Sequence, residues 1–197
     1  MYHNRPFPIV ILVILSVLQI VVSGFVPRTK SPIIIMSKLH QQHVDNASFF
    51  TPTVSLTPDS VQRGINAGLA CAKQKGWQVT ICICDVGGTP WQVARMPNAF
   101  AASYDIACGK AKSAAMFQKP TRALEESVNG GRMALLSVPD DRVLMRGGLQ
   151  IVVDGKTVGA VGVSGVQANE DEEVAKAAVD SIVNLWETTG GNVRSKL

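Results

Sequence analysis

The sequence predicts a mixed α/β domain in which helices cover a mainly antiparallel sheet, with elements in the order α-β-β-α-α-β-β-α. Two observations lead to this fold class. Strand-like apolar runs occur in two pairs, and a short glycine-containing turn joins the members of each pair, as in hairpins. Segments with helical periodicity precede, separate and follow the two pairs. A Rossmann arrangement would need parallel strands joined through helices, and this order does not supply them.

The domain begins with a helix and a hairpin. Thr57 and Pro58 suit the N-cap and the first position of a helix, and Gly76 ends that helix. The apolar run 79–84 is the first predicted strand, and after a turn at the sequence DVGG the run 91–95 returns beside it.

Two further helices are predicted in the middle of the chain. Ser103 is expected to cap a helix that runs to about Gln118. Thr121 is expected to cap the next helix, which the glycine pair 130–131 interrupts and which closes before Pro139.

The second hairpin gives the clearest local signal in the chain. Two β-rich runs within 149–164 flank Asp154 and Gly155, a pair suited to the positive φ angles of a tight turn. The last helix starts near Asn169, with the four acids of 170–173 at its beginning, where the helix dipole favours negative charge. Its apolar face carries Ala175, Val179, Ile182 and Trp186.

The N-terminal region has the composition of a targeting leader. Arg5 precedes an apolar run of fourteen residues, 9–22, and residues 1–24 are therefore predicted to be a signal peptide, with a single-pass anchor as the alternative. Residues 25–54 are basic, carry one acid and contain scattered hydroxyl side chains, as transit peptides or flexible linkers do. The domain is expected to span 55–188, followed by a flexible tail at 189–197.

Phe25, directly after the expected cleavage point, resembles the bipartite plastid presequences of algae with complex plastids. Plastid targeting is therefore expected, and secretion or an endomembrane lumen is the alternative. Initiation at Met36 would remove the signal and leave a cytosolic product. No stable membrane span is expected after processing.

The charge balance argues against a nucleic-acid partner. The chain carries a net charge of +4, but the leader to residue 56 holds four of the nineteen basic residues and one of the fifteen acids. The remainder has a balance of 15 − 14 = +1 and no basic stripe, so it lacks the electrostatic footprint of phosphate-backbone binding.

No metal site is predicted. The four cysteines contain no CxxC pair, and all three histidines (His3, His40 and His43) precede the domain. Cys82 and Cys84 are two positions apart on a strand, so their side chains point to the same face and do not easily form a disulfide with each other. The four cysteines are interpreted as small buried apolar residues.

An ordered set of short motifs spans about 56–186. It consists of CDVGG (84–88), ARM (94–96), a helix with Lys110, Phe117 and Thr121, RGG (146–148), DG (154–155), VGAVGVSG (158–165) and DE (171–172). This set resembles the GlcG/HbpS-like family of haem-interacting proteins, which also forms the C-terminal part of PduO-type proteins. The chain departs from the family pattern at Pro97-Asn98 and at Gln150.

The resemblance implies a profilin- or roadblock-like α/β/α fold, assembly into homo-oligomers, and binding of haem or another tetrapyrrole or small ligand, with haem handling or iron release as the process. An enzyme or accessory subunit acting on a small carboxylic acid is one alternative. A non-catalytic oligomeric assembly module is the other. No Ser-His-Asp set, HExxH motif or Walker motif is present, so no catalytic residue is assigned and enzymatic activity stays open.

Seven residues are candidates for ligand contact. Arg95 and Lys110 suit the propionates of a porphyrin or the carboxylate of a small acid, and the alternative is salt bridges, for instance to Asp85 or Asp105. The remaining candidates are Met96, Thr121, Gly147, Gly148 and Ser164. For Thr121 the alternative role is helix capping. The glycine pair 147–148 is alternatively a structural turn, and the glycines around Ser164 admit either a packed backbone or a flat ligand.

A bound haem iron would need an axial ligand other than histidine. The candidates are Met96, Met116, Met133, Met145, Tyr104 or a cysteine. The alternative role of the methionines is core filling.

Overall fold

The structure is a computed structural model that describes residues 53–188. The chain divides into two compact units after Pro52, and the described residues belong to the second unit. The predicted signal peptide, residues 25–52 of the predicted transit segment and the C-terminal tail lie outside the described residues, and these assignments stay predictions. Within residues 53–188, no helix combines the length and the apolar character needed to cross a membrane.

The predicted order of elements is confirmed, with one short 3₁₀ helix added after the third helix. The elements are α1 (Pro58–Lys75), β1 (Thr80–Asp85), β2 (Pro90–Arg95), α2 (Ser103–Phe117), α3 (Thr121–Asn129), the 3₁₀ helix (Met133–Ser137), β3 (Gly148–Val153), β4 (Lys156–Ser164) and α4 (Ala168–Thr188).

The four strands form one sheet in the order β2-β1-β4-β3, and every neighbouring pair is antiparallel. The inner pair runs in continuous register from Thr80 opposite Ser164 to Asp85 opposite Gly159. Asp154 and Gly155, at the turn between β3 and β4, have φ angles of 49° and 72°. Positive φ at both central residues is what a type I′ turn requires, so the predicted hairpin is confirmed.

Helices cover both faces of the sheet and give an α/β/α arrangement. On one face, β-branched residues of the inner strands pack with apolar residues of α1 and α4, such as Ile65 and Ile182. On the other face, the small side chains of Cys82, Cys84 and Ala160 pack against the alanines of α2. The second layer is thinner because its side chains are smaller.

Gly162 shows how closely α2 approaches the sheet. A Cβ placed on Gly162 would lie 2.1 Å from the carbonyl oxygen of Ala107 and 2.4 Å from the backbone nitrogen of Ala111. The predicted role of the glycines in the sequence VGVSG, close approach of another backbone, is thus confirmed at Gly162, where the backbone is that of α2.

Two of the three predicted hydroxyl caps are wrong. Thr57 caps α1 through a reciprocal capping box with Ser60, as expected. At α2 and α3, however, Ala102 and Pro120 occupy the N-cap position, and neither makes a side-chain capping bond. The hydroxyl of Ser103 lies 2.7 Å from that of Thr80, and both residues are fully buried. The Ser103 hydroxyl also donates to the carbonyl oxygen of Phe100 at 2.6 Å, so these two partners occupy it and it does not cap α2.

Candidate functional site

Lys110 is a buried cation in the middle of α2. Its Nζ donates hydrogen bonds to Oδ2 of Asp171 at 2.8 Å and to the carbonyl oxygen of Val163 at 2.9 Å. Both members of the ion pair have 3% of the side chain exposed. The alternative of a salt bridge for Lys110 is therefore correct, but the partner is Asp171 of α4 and neither Asp85 nor Asp105.

Asp171 closes the pair from the start of α4. Its Oδ1 accepts a hydrogen bond from the backbone N–H of Val166 at 3.2 Å. Burial raises the pKa of the Asp171 carboxyl, while the nearby Lys110 ammonium and the Val166 N–H act in the opposite direction. The carboxylate of Glu170 likewise accepts from the Gln167 N–H, at 3.1 Å. The predicted capping by acids at this helix start is confirmed.

The turn at Gly147 and Gly148 packs directly on Lys110. Gly147 has a φ of 119°, and a Cβ there would lie 2.8 Å from Lys110 Nζ. The carbonyl oxygen of Gly147 accepts a hydrogen bond from the Val163 N–H at 2.9 Å. The backbone N–H of Gly148 donates to Oγ1 of Thr121 at 2.8 Å, which explains why this hydroxyl does not cap α3. We call Lys110, Thr121, Gly147, Gly148 and Asp171 the Lys110 cluster.

The remaining predicted contact residues lie elsewhere. Arg95 is at the exposed end of β2, where its Nε and Nη2 donate to the carbonyl oxygen of Ala99 at 3.2 and 2.6 Å. Met96 is buried in the core shared with α1 and α4. Ser164 is buried at the end of β4 opposite Thr80. The structure thus brings together four of the seven residues, namely Lys110, Thr121, Gly147 and Gly148, and their role in ligand contact stays a prediction.

An open groove of about 650 Å³ lies beside α2 and α3. Its walls come from these two helices, the 3₁₀ helix and the segment 138–145 that leads towards β3. Its apolar lining residues are Ile106, Val128, Leu136, Val138, Pro139, Val143, Leu144 and Met145, and its polar ones are Glu125, Asn129, Asp140 and Arg142. We call this the α3 groove.

The segment 138–145 is held against α2 by close packing. The backbone N–H of Val143 donates to the carbonyl oxygen of Gly109 at 3.3 Å. A Cβ on Gly109 would lie 2.5 Å from Cγ2 of Val143, so the glycine is needed for this approach. Beyond the segment, the N–H of Arg146 donates to Oε2 of Glu125 at 2.5 Å, which ties the wall to α3.

The charges around the α3 groove are mixed. Arg142 is the cationic lining residue, and its guanidinium binds Oδ1 of Asp141 at 2.8 Å and contacts the sulfur of Met116 at 3.3 Å. The ammonium of Lys112, hydrogen-bonded to Asp141, lowers the pKa of that carboxyl. The exposed fractions of Leu136 and Met145 are 59% and 44%, so apolar surface is open to a ligand.

Sequence reasoning missed this groove. It considered Met133 and Met145 only as possible iron ligands and expected the helix that starts at Thr121 to close before Pro139. The sequence could have indicated the groove through the many large apolar residues in the stretches MALLSVP and VLM. These stretches contain no strand or long helix that would bury such residues.

A second groove, of about 510 Å³, runs between the edge strand β3 and α4. Its lining alternates in charge, with Arg146 and Lys176 facing Glu172, Glu173 and Asp180. Arg146 Nε binds Oε2 of Glu172 at 2.6 Å. This surface is more highly charged than the α3 groove and less suited to a large apolar ligand.

Comparison with known proteins gives a consistent match over the folded domain. A family model described as haem degrading protein HbpS-like matches residues 56–180. Protein GlcG of Escherichia coli strain K12 is 40% identical over 100 residues, which cover 51% of this chain and 74% of GlcG.

Solved structures agree with the sequence matches. The crystal structure of protein ORFY from Klebsiella pneumoniae superposes with a TM-score of 0.63 and 28% identity, covering 67% of this chain and 94% of ORFY. A crystal structure of a PduOC:heme complex superposes with a TM-score of 0.60 and 28% identity, covering 65% of this chain and 95% of PduOC. The described domain is thus similar in sequence and fold to proteins of one kind, one of which was solved with haem.

Proposed function

Because the chain belongs to the HbpS-like family of haem degrading proteins, we propose that its folded domain binds haem in the α3 groove. The observation that carries the proposal is the likeness to PduOC, which forms a complex with haem and which the chain covers almost completely. A flat macrocycle with two carboxylates needs a large apolar surface and a polar margin. The α3 groove offers both on the described part of the chain.

The dimensions and lining of the α3 groove fit such a ligand. Its volume of about 650 Å³ falls within the range of small-molecule sites, roughly 300–1,000 Å³. Val128, Leu136 and Val143 would contact the faces of the ring. Arg142 would attract a propionate, because its planar guanidinium suits carboxylates. Glu125 and Asp140 oppose this attraction, so the binding is expected to depend mainly on apolar contact.

Met145 is the candidate iron ligand that lines the α3 groove. Histidine is absent from residues 53–188, and a thioether is a known axial ligand of haem. Met96 is buried in the core, and Met116, Met133 and Tyr104 are exposed without lining the groove. A groove with one thioether and no imidazole predicts weak, reversible haem binding.

In this proposal the Lys110 cluster acts as a positioning element. Lys110 and Asp171 hold the Gly147 turn, and that turn follows directly on the groove segment 138–145. Arg95, Met96 and Ser164 do not line the α3 groove, so direct haem contact is assigned to the groove residues instead.

The test is a hemin titration of residues 53–197, the compact unit, followed by absorbance in the Soret region. We expect saturable binding. Val128→Trp, which fills the groove, should weaken it by about tenfold or more, since a blocked apolar site loses most of its contact area. Met145→Leu keeps the volume and removes the sulfur, so it should change the absorbance spectrum of bound haem more than the affinity.

The matched control is Val152→Trp, at an exposed valine that lines the second groove. This variant should bind hemin like the parent protein. Absence of saturable binding, or equal weakening by the two tryptophan variants, would remove haem from the α3 groove. The second result would also direct attention to β3 and α4.

We further propose that copies of the domain assemble into a homo-oligomer. Strands β2 and β3 are the two edges of the sheet, and β2 carries Trp91 with 46% of its surface exposed. Exposed edges and large aromatic residues are common features of contact surfaces between subunits. Light scattering coupled to size exclusion would test this proposal, and a monomer at micromolar concentration would refute it.

A further inference from the structure

Three cysteines and a tyrosine lie together where α2 covers the sheet. Cys82 and Cys84 are fully buried, Cys108 is partly exposed, and all three belong to one packed cluster. Tyr104 lies one helical turn before Cys108. None of these residues lines the α3 groove, and haem binding leaves them without a role.

The contact between Cys82 and Cys108 follows from the register of the sheet. Cys82 stands opposite Gly162 on β4, and residues directly opposite each other point to the same face. That face of Gly162 lies against the backbone of Ala107 and Ala111. Cys82 therefore points at the stretch of α2 that contains Cys108, and Cys108 packs against the buried cluster to which Cys82 belongs.

The two thiols have opposite chemical character. Hydrogen bonds from Cys82 and from the Tyr104 hydroxyl lower the pKa of Cys108, although burial and the nearby Asp105 oppose the shift. The same hydrogen bond and burial raise the pKa of Cys82, which stays a thiol. Burial raises the pKa of Cys84 to about 12 and also raises that of Cys71. Cys108 is thus the described cysteine that combines solvent access with a lowered pKa.

We propose that Cys108 is an oxidation site for hydroperoxides and that Cys82 resolves the product into a disulfide between α2 and β1. The proposal rests on the packing of Cys108 against the cluster that contains Cys82 and on the difference in exposure between the two residues. A peroxide in solvent reaches Cys108, whereas fully buried Cys82 reacts only with its neighbour.

The reaction balances with one peroxide as the oxidant. The Cys108 thiolate attacks a peroxide oxygen, so that an S–O bond forms, the O–O bond breaks, and the departing hydroxide takes a proton to become water. The Cys82 sulfur then attacks Cys108, forming the S–S bond, while the hydroxyl leaves as water with the Cys82 proton. Two thiols and one hydrogen peroxide give one disulfide and two waters.

The test uses residues 53–197, reduced and free of haem, with hydrogen peroxide as the probe. Peptide mass spectrometry should find Cys82 joined to Cys108 as the first product. Cys71 is also partly exposed and serves as the internal control. Its oxidation should be at least about tenfold slower than that of Cys108, because the pKa of its thiol is raised.

Three variants separate the two steps. Cys82→Ser should stop the chemistry at the Cys108 sulfenic acid, which dimedone traps. Cys108→Ser should abolish the disulfide. Tyr104→Phe removes a hydrogen bond to the sulfur and should slow oxidation of Cys108 without changing the rate at Cys71, a selective effect that general loosening of the fold would not produce.

Two results would overturn the proposal. In the parent protein, oxidation of Cys71 as fast as that of Cys108 would show that the cluster confers no reactivity. Accumulation of Cys108 sulfenic acid without the disulfide would show that Cys82 does not resolve it. Both results come from the unaltered chain, so a variant that fails to fold does not affect them.

Discussion

Lys110 and Asp171 form an ion pair of 2.8 Å across 61 residues of sequence, and each has 3% of its side chain exposed. The pair joins the centre of α2 to the start of α4, two helices that lie on opposite faces of the sheet. It is located at the end of β4, next to the Gly147 turn. A contact of this kind fixes the relative position of two layers.

Lys110→Met should destabilise the domain by about 3–5 kcal/mol, because it leaves the Asp171 carboxylate buried without its partner. Urea unfolding of residues 53–197 measures this effect. Replacing both residues, as Lys110→Met with Asp171→Leu, should recover part of the loss. The control is Lys75→Met, which removes an exposed pair with Glu173 and should change stability little. Equal effects at Lys75 and Lys110 would contradict the assigned role.

The stability of the domain should depend on pH through Asp171. Burial raises the pKa of this carboxyl above its ordinary value of 3.8, so the folded state holds the proton more tightly than the unfolded state. The resulting contribution of Asp171 to the free energy of unfolding is complete below pH 3.8. It is lost as pH rises through the pKa of the folded state. The free energy of unfolding of the parent, relative to Asp171→Asn, should therefore increase on acidification.

Asp141 provides the opposite case for the same measurement. Lys112 lowers the pKa of Asp141, so its contribution is present above 3.8 and is lost as pH falls through the folded pKa. Relative to Asp141→Asn, the parent should lose stability on acidification. The measurement is the urea midpoint at neutral and at acidic pH. If acidification changed the stability of the parent in the same direction relative to Asp171→Asn and relative to Asp141→Asn, the opposite pKa shifts of the two carboxyls would be contradicted.

The parts of the fold that sequence reasoning predicted correctly are those whose cause is local. The Asp154-Gly155 turn, the Thr57 cap and the acidic start of α4 each depend on residues within a few positions of one another. Hairpin partners then follow from the turn, and the antiparallel sheet from the hairpins.

The parts that escaped prediction depend on contacts between distant residues. Thr121 has the chemistry of a cap, but the Gly147 turn offers its hydroxyl a partner that is remote in sequence. The Ser103 hydroxyl likewise has a remote partner in Thr80 of β1, besides the local Phe100 carbonyl oxygen. Spacing could mark Lys110 as unusual in an alanine-rich helix but could not select Asp171 among fifteen acids. The α3 groove likewise arises from the packing of separate segments and has no motif.

Gly162→Ala should destabilise the domain by about 3 kcal/mol or more. The new Cβ would lie 2.1 Å from the Ala107 carbonyl oxygen, and neither the inner strand nor the helix can move away without disturbing the sheet. Thermal or urea unfolding measures the effect. Gly87→Ala is the matched control, since Gly87 is exposed and its nearest neighbour is an Asp85 carboxylate oxygen at 3.3 Å. A variant at 162 as stable as the control would show that α2 does not approach the sheet this closely.

Gly109→Ala should weaken hemin binding without removing the fold. Its Cβ would meet Cγ2 of Val143 at 2.5 Å and the Val143 backbone nitrogen at 3.2 Å, so the segment 138–145 must shift to admit it. That segment is a wall of the α3 groove and lies outside the strands and both packed cores. Displacement of a groove wall by about 1 Å should cost severalfold to tenfold in affinity through lost apolar contact. Parallel hemin titration and urea unfolding of this variant and of Gly87→Ala separate the two effects. Unchanged hemin affinity in a folded Gly109→Ala protein would place the ligand elsewhere, whereas weakened binding with a near-parent unfolding midpoint would locate the ligand against Val143.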